Sequence, residues 1–122
     1  MYTIRGATTV DSNTEKEIIQ SVKELIEEII VSNKLEKKDI ISFVFSTTDD
    51  LDQVYPGAAV RELGYVKTSI MCLQEMYVKD SLKKCIRVMV YINDDIDKDE
   101  VKHIYLKKAK KLREDLNYLS EE

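Results

Sequence analysis

Arg87 and Glu75 are the two residues of this chain whose types and spacing point most directly to chemistry. Within residues 71–92, an apolar segment carrying Cys72 and Glu75 is followed by a polar turn and by a second apolar run that contains Arg87. A guanidinium in such a run needs an anion, because burying it unpaired is costly. The anion can be Glu75 or a bound carboxylate, which the planar guanidinium fork matches. An edge-strand arginine that reaches solvent is the third alternative.

The run at residues 85–92 predicts a β-strand, since it has the length and β-branched content of one. Strand alternation places Arg87 on one face with Cys85, Met89 and Tyr91. If residues 71–75 pair with this strand as a hairpin, Glu75 lies within reach of Arg87. Cys72 and Cys85 could then also meet, but two cysteines make no disulfide framework, and we expect reduced thiols in a cytoplasmic chain.

Arginine is used sparingly, with four arginines against fifteen lysines. Arg5, Arg61 and Arg87 each lie next to an apolar residue, whereas the lysines lie mostly in polar contexts. This pattern suggests arginines that converge on a planar anionic partner. Chance among so few residues is the alternative.

Composition excludes several other functions. The net charge of −4 argues against nucleic-acid binding, and no segment has membrane-spanning length or the features of a secretion signal. His103 is the only histidine, so a Ser-His-Asp triad or a histidine metal site has little material. The acidic turn at residues 93–100 lacks the glycine and glutamate that a calcium-binding EF-hand loop requires. We therefore expect no metal and no cofactor.

The elements that must position these residues can be read from periodicity. Thr14 with Glu17 fits a capping box, and apolar residues at helical spacing predict a long helix that ends near Asn33. Strands are predicted at residues 1–10, 39–46, 68–73 and 85–92, with a short helix at 58–63. In the second strand, Ile41 is expected to share a face with Phe43 and Phe45, opposite Ile40 and Val44.

These elements predict an α+β fold, in which a mixed β-sheet packs on one long amphipathic helix within a single domain of residues 1–122. One helix covers only one face of a small sheet, so the other apolar face requires a partner and the chain is expected to be a homo-oligomer. Local propensity favours a helix after His103, and residues from about 114 to 122 are expected to form a flexible tail.

Five segments in this order resemble the small monofunctional chorismate mutases of the trimeric pseudo-α/β-barrel class. The resemblance runs from Ile4 to about Leu116. The matching segments are residues 4–10 (IRGATTV), 54–63 (VYP and AVREL), 71–76 (MCLQEM), 82–89 (LKKCIRVM) and 103–106 (HIYL).

The resemblance implies a homotrimeric pseudo-α/β-barrel with active sites between neighbouring subunits, and it implies a strand, not a helix, around Tyr105. It also implies a cytoplasmic enzyme of the shikimate pathway that converts chorismate into prephenate for phenylalanine and tyrosine biosynthesis. This Claisen-type rearrangement needs no nucleophile, metal or cofactor. It needs a dianionic substrate held in a reactive shape, and fixed charges where the transition state develops charge.

The resemblance assigns four catalytic residues. Arg87 would contact the breaking ether oxygen and a nearby carboxylate of chorismate. Arg5 would bind a substrate carboxylate, with Tyr105 hydrogen-bonding near it. Glu75 would accept a hydrogen bond from the ring hydroxyl and favour the positive ring fragment.

The resemblance assigns the remaining site residues to substrate binding. Cys72 would lie beside the ring hydroxyl as a weak hydrogen-bonding group, and Arg113, in the C-terminal tail, would help to gather the anion. Four residues would come from the neighbouring subunit or the mouth of the site: Tyr55, Ala58, Arg61 and Leu73. Tyr55 stands where phenylalanine is usual, and Ala58 stands where some members carry lysine.

Two other functions are compatible with the inventory of residues. One is a trimeric enamine/imine deaminase, which also places an arginine at a subunit cleft. The other is a non-catalytic trimer that binds small carboxylates. Since no regulatory domain is visible, feedback control by an aromatic amino acid is not expected.

Overall fold

The structure, a computed structural model, describes residues 1–113 of the chain. Its strands are β1 (Tyr2–Thr9), β2 (Ile40–Thr47), β3 (Ser69–Gln74), β4 (Cys85–Ile92) and β5 (Ile104–Tyr105), and its helices are α1 (Glu15–Asn33) and α2 (Gly57–Glu62). Three 3₁₀ turns cover Lys37–Asp39, Lys98–Glu100 and Lys107–Arg113. The tail predicted at about 114–122 lies outside the described residues.

The strands form one mixed sheet in the order β3-β2-β4-β1-β5. The central pairs β2–β4 and β4–β1 are antiparallel, and the outer pairs β2–β3 and β1–β5 are parallel. This arrangement confirms the predicted α+β class. It also confirms the strand around Tyr105, which local helix propensity alone would have missed.

Helix α1 covers one face of the sheet. Its buried side chains are Ile18, Ser21, Val22, Leu25, Ile26 and Ile29. They join a core built from the inward residues of the sheet, including Ile4, Phe43, Phe45, Val88 and Val90. Helix α2 packs against α1. No helix among the described residues is long and apolar enough to cross a membrane.

The start of α1 differs in detail from the predicted capping box. The Thr14 side chain accepts from the backbone N–H of Glu17, as expected. The Glu17 carboxylate instead accepts from the backbone N–H groups of Asp11 and Ser12. The hydroxyl of Ser12 also donates to this carboxylate, and it is the main effect that holds the pKa of Glu17 below its usual value. The backbone bonds act in the same direction. The glutamate therefore ties down the loop before the helix.

The predicted facing of β2 is wrong at its start. Ile40 is 6% exposed and lies in the core, whereas Ile41 is 42% exposed. The pairing with β4 shifts between Ile40 and Ser42, which is the register change of a β-bulge. The extra residue reverses the alternation, so Ile40 shares the inward face with Phe43 and Phe45.

The predicted hairpin is also wrong, because β2 lies between β3 and β4. The crossover through α2 makes β3 parallel to β2. Strand β3 pairs with one edge of β2, and β4 pairs with the other edge. Cys72 and Cys85 are consequently on non-adjacent strands, and both are free.

Gly6 lets β1 approach both α1 and β5 closely. A Cβ at this position would lie 2.8 Å from Ile29 Cδ1 and 3.2 Å from the backbone oxygen of Ile104. The backbone oxygen cannot swing away as a side chain can. The glycine therefore sets the spacing that brings β5 beside the strand that carries Arg5.

Candidate active site

Sheet register places the predicted catalytic residues along one row. Arg87 on β4 pairs with Ser46 on one side and with Ala7 on the other, and Ala7 pairs in turn with Tyr105 on β5. Arg5 lies two residues from Ala7 on β1, and so on the same face of the sheet. This is the face opposite α1.

Glu75 reaches this row from the end of β3. Its backbone N–H donates to the carbonyl oxygen of Thr47 at 2.8 Å, which continues the β2–β3 pairing one residue beyond the strand. Its carboxylate Oε1 lies 3.0 Å from Nε of Arg87. The pair that sequence reasoning expected from a hairpin is therefore formed across an intervening strand, β2.

The four predicted catalytic residues line one cleft of about 310 Å³. Its charged lining residues are two arginines, Arg5 and Arg87, and one carboxylate, Glu75, so the lining has a net positive charge. The ion pair is partly open to solvent, with 49% of the Arg87 side chain and 29% of the Glu75 side chain exposed. A cleft of this charge and access suits a small anion.

Arg5 is held in place through its backbone. Its N–H donates to Nδ1 of His103 at 2.9 Å, which makes Nδ1 the acceptor nitrogen of the imidazole. After His103, the chain continues along β1, and the N–H of Leu106 donates to the carbonyl oxygen of Ala7 at 2.9 Å. His103 thus helps to dock the segment that carries Tyr105, a contribution that sequence reasoning missed.

Ser46 is the second residue that sequence reasoning missed. Its hydroxyl donates to Oε1 of Glu75 at 2.9 Å. The available signal was a serine at an open-face position of a largely apolar strand, and only the register of the sheet shows that it lies opposite Arg87.

Cys85 lies two residues before Arg87 and is buried. Burial is the main effect that raises the pKa of its thiol, and the charge of Arg87 acts in the opposite direction. A buried thiol with a raised pKa is a poor nucleophile. This is consistent with chemistry that uses no covalent intermediate.

Three of the predicted substrate-binding residues lie in a cleft separate from that of Arg87. Tyr55, Cys72 and Leu73 line a second cleft of about 620 Å³. Ala58 and the exposed Arg61 lie on α2, directly after this cleft's Pro56. Within one chain, the structure does not bring this group to Arg87.

Cys72 and Leu73 lie on opposite faces of the sheet. It pairs with Phe45, so its side chain is on the α-helical side of the sheet, whereas Leu73 pairs with Ser46 on the open side. Its Sγ would be 3.4 Å from a Cβ at Gly57, at the start of α2. The backbone of Arg113 ends the last 3₁₀ turn, and the predicted role of its side chain lies outside what the structure describes.

A third cleft lies at the other end of the sheet and is unsuited to an anion. Its acidic lining residues are Asp39, Asp94, Asp99 and Glu100, against the basic Lys34 and Lys102. The cleft around Arg87 is therefore the better candidate for a dianionic ligand.

Comparisons with known proteins agree with this geometry. The family model for chorismate mutase type I matches residues 1–116. The chorismate mutase AroH of Bacillus subtilis (strain 168) is 47% identical over 115 residues, which are 93% of this chain and 91% of that protein. AroH of Thermus thermophilus is 34% identical over 114 residues, 93% of each chain. A solved chorismate mutase from Clostridium thermocellum superposes with a TM-score of 0.88 at 47% identity, covering 90% of this chain and 98% of that one.

Proposed function

This chain belongs to the chorismate mutase type I family, and we propose that it rearranges chorismate to prephenate in the cleft that contains Arg87 and Glu75. As a chorismate mutase it is an isomerase of aromatic amino acid biosynthesis. The family match sets aside the enamine/imine deaminase alternative. The observation that carries the proposal for the site is the Arg87–Glu75 pair in a cleft that also contains Arg5 and Tyr105.

The charges of the cleft suit the reaction. The rearrangement breaks the ether C–O bond and forms a C–C bond within one molecule, so no proton or leaving group has to be transferred. Negative charge grows on the ether oxygen, where the Arg87 guanidinium would stabilise it. Positive charge grows on the ring, where the Glu75 carboxylate would favour it while accepting a hydrogen bond from the ring hydroxyl.

The remaining residues of the cleft would hold the substrate in its reactive shape. Arg5 would bind a carboxylate of chorismate, and Tyr105 would donate a hydrogen bond beside it. Fixing both ends of a flexible molecule removes the entropy cost of reaching a chair-like geometry, which is a large part of catalysis for a unimolecular rearrangement.

We also propose that the complete site forms between subunits of a homotrimer. The open face and the β3 edge expose apolar side chains, with Met71 at 58% and Leu73 at 50% exposed. Contiguous exposed apolar residues at a sheet edge favour association. In a trimer, the cleft of Tyr55 and Leu73 on one subunit would close over the cleft of Arg87 on the next.

A mixing experiment tests this arrangement. Arg87→Ala and Arg61→Glu each damage one of the two surfaces, so each homotrimer should be impaired. When the two variants are co-refolded, some interfaces combine an intact Arg87 cleft with an intact Arg61 surface. Chorismate turnover should then exceed the sum of the separate variants, and light scattering should give the mass of a trimer.

The outcome that contradicts the shared site is equally clear. If the co-refolded sample is no more active than the separate variants although mass spectrometry detects mixed trimers, the site lies within one chain. The matched control is Lys38→Ala co-refolded with Arg87→Ala, since Lys38 is an exposed cation at the far end of β2.

The protein is proposed to act as a single domain in the cytoplasm, with no nucleic-acid partner. The support for the compartment is that both cysteines are free and on strands that do not neighbour each other. The support for the absence of a nucleic-acid partner is the net charge of −4.

A further inference from the structure

A hydroxyl donor and a guanidinium cation converge on the same oxygen of Glu75. The hydroxyl of Ser46 lies 2.9 Å from Oε1, and Nε of Arg87 lies 3.0 Å from it. Within residues 1–113, no hydrogen bond from a side chain or the backbone goes to Oε2. The carboxylate is therefore fastened by one oxygen, and its other oxygen can accept from a third donor.

These two partners of Glu75 differ in how freely they move. Ser46 has a single side-chain torsion before its hydroxyl and lies within β2, which is paired on both sides. The Arg87 side chain is long, half exposed and itself a candidate to contact substrate. When Arg87 shifts toward an anion, the hydroxyl of Ser46 is the contact that can keep Glu75 where it was.

Backbone pairing fixes the positions of Ser46 and Glu75 relative to each other. Ser46 lies opposite Arg87 across the β2–β4 pairing and opposite Leu73 across the β2–β3 pairing. The N–H of Glu75 is bonded to the carbonyl of Thr47, the neighbour of Ser46. Both ends of the Ser46–Glu75 hydrogen bond are thus attached to the same strand pair.

We infer that Ser46 is a positioning residue for the rearrangement, whose hydroxyl holds Oε1 of Glu75 so that Oε2 is presented to the ring hydroxyl of the substrate. The inference rests on the proposed role of Glu75. Ser46 itself does not contact the reacting atoms. Its loss would release the Glu75 carboxylate to follow the Arg87 guanidinium, and this would weaken both groups where the transition state needs them.

The test compares kcat and KM for chorismate in four variants: Ser46→Ala, Ser46→Thr, Glu75→Ala and the double variant Ser46→Ala/Glu75→Ala. Ser46→Ala should lower kcat about tenfold, which is the usual effect of losing one hydrogen bond to a charged group, and should leave KM within about twofold. Ser46→Thr retains the hydroxyl and should recover most of kcat. In the Glu75→Ala background, Ser46→Ala should change kcat less than about twofold.

The chain offers a matched control on α1. The hydroxyl of Ser32 donates to Oε1 of Glu28 at 3.1 Å, which is the same kind of serine–glutamate bond away from the cleft. Ser32→Ala should leave kcat unchanged. Thermal melting of every variant reports any general loss of stability. Such a loss would lower kcat for Ser46→Ala to the same extent whether residue 75 is glutamate or alanine.

The outcomes separate this inference from the function on which it rests. Parental kcat in Ser46→Ala, an equal loss in the Glu75→Ala background, or a Ser46→Thr variant as slow as Ser46→Ala would each overturn the positioning role. If Glu75→Ala itself keeps parental kcat, the proposed role of Glu75 fails, and the inference fails with it. A slow Glu75→Ala variant beside an unaffected Ser46→Ala variant overturns only the inference.

Discussion

Replacing Arg87 with alanine should lower the kcat for chorismate by about 10²-fold or more, by analogy with the loss of one oxyanion-stabilising donor. The physical reason is that the guanidinium faces the atom on which negative charge grows, so its contribution is larger in the transition state than in the bound substrate. The measurement is the rate of chorismate loss and prephenate formation, without metal or cofactor, compared with the uncatalysed background.

Folding should survive this change. The Arg87–Glu75 pair is partly exposed, and pairs of that kind contribute no more than about 1 kcal/mol to stability. Thermal melting of Arg87→Ala should therefore lie near that of the parent. Arg87→Lys keeps the charge but loses the planar fork, and its kcat should lie between that of the parent and that of Arg87→Ala.

The control removes a cation elsewhere. Lys38→Ala deletes an exposed positive charge before β2, at the opposite end of that strand from Ser46, and should leave kcat unchanged. A folded Arg87→Ala oligomer with parental kcat would remove Arg87 from the mechanism, although the family assignment would stand.

Replacing Glu75 with glutamine should lower kcat by roughly 10- to 100-fold, the range expected for a hydrogen bond made by a charged group. Glutamine keeps the shape of the side chain and can still accept a hydrogen bond from Ser46. The loss would therefore report the negative charge, which favours the positively charged ring fragment of the transition state. Steady-state kinetics with chorismate provide the measurement.

The comparison for this variant is Glu28→Gln on α1, which also has a serine hydroxyl as its hydrogen-bond donor. It should be as active as the parent. Should Glu75→Gln turn over at the parental rate, binding by the arginines would suffice for catalysis, and the carboxylate would serve only to order Arg87.

Local pattern was sufficient for the elements whose structure depends on near neighbours. The helical spacing of Ile18, Val22 and Leu25 predicted α1, since a helix is formed by bonds between residues four apart. The alternation around Arg87 likewise predicted that it shares one face of β4 with Cys85, Met89 and Tyr91. The strand at Tyr105 came from family resemblance, because two residues are too few to produce a periodic signal.

Long-range pairing decided what local pattern could not. Residues 71–75 and 85–92 are close in sequence and were predicted to pair, yet β2 takes the place between them. Which edges of β2 are occupied depends on the parallel crossover through α2 and on the whole sheet, and no short window contains that information. The bulge at Ile40 is similar, since one extra residue reverses every inward and outward assignment before it.

The site shows the same division between residue types and their arrangement. The sequence already supplied the chemistry, an arginine in an apolar run and a glutamate twelve residues before it, because the types of charge can be read without coordinates. Only the folded chain brought Ser46 to Glu75 and His103 to the backbone of Arg5. These contacts join residues far apart in sequence, because the register of neighbouring strands brings their atoms within hydrogen-bonding distance.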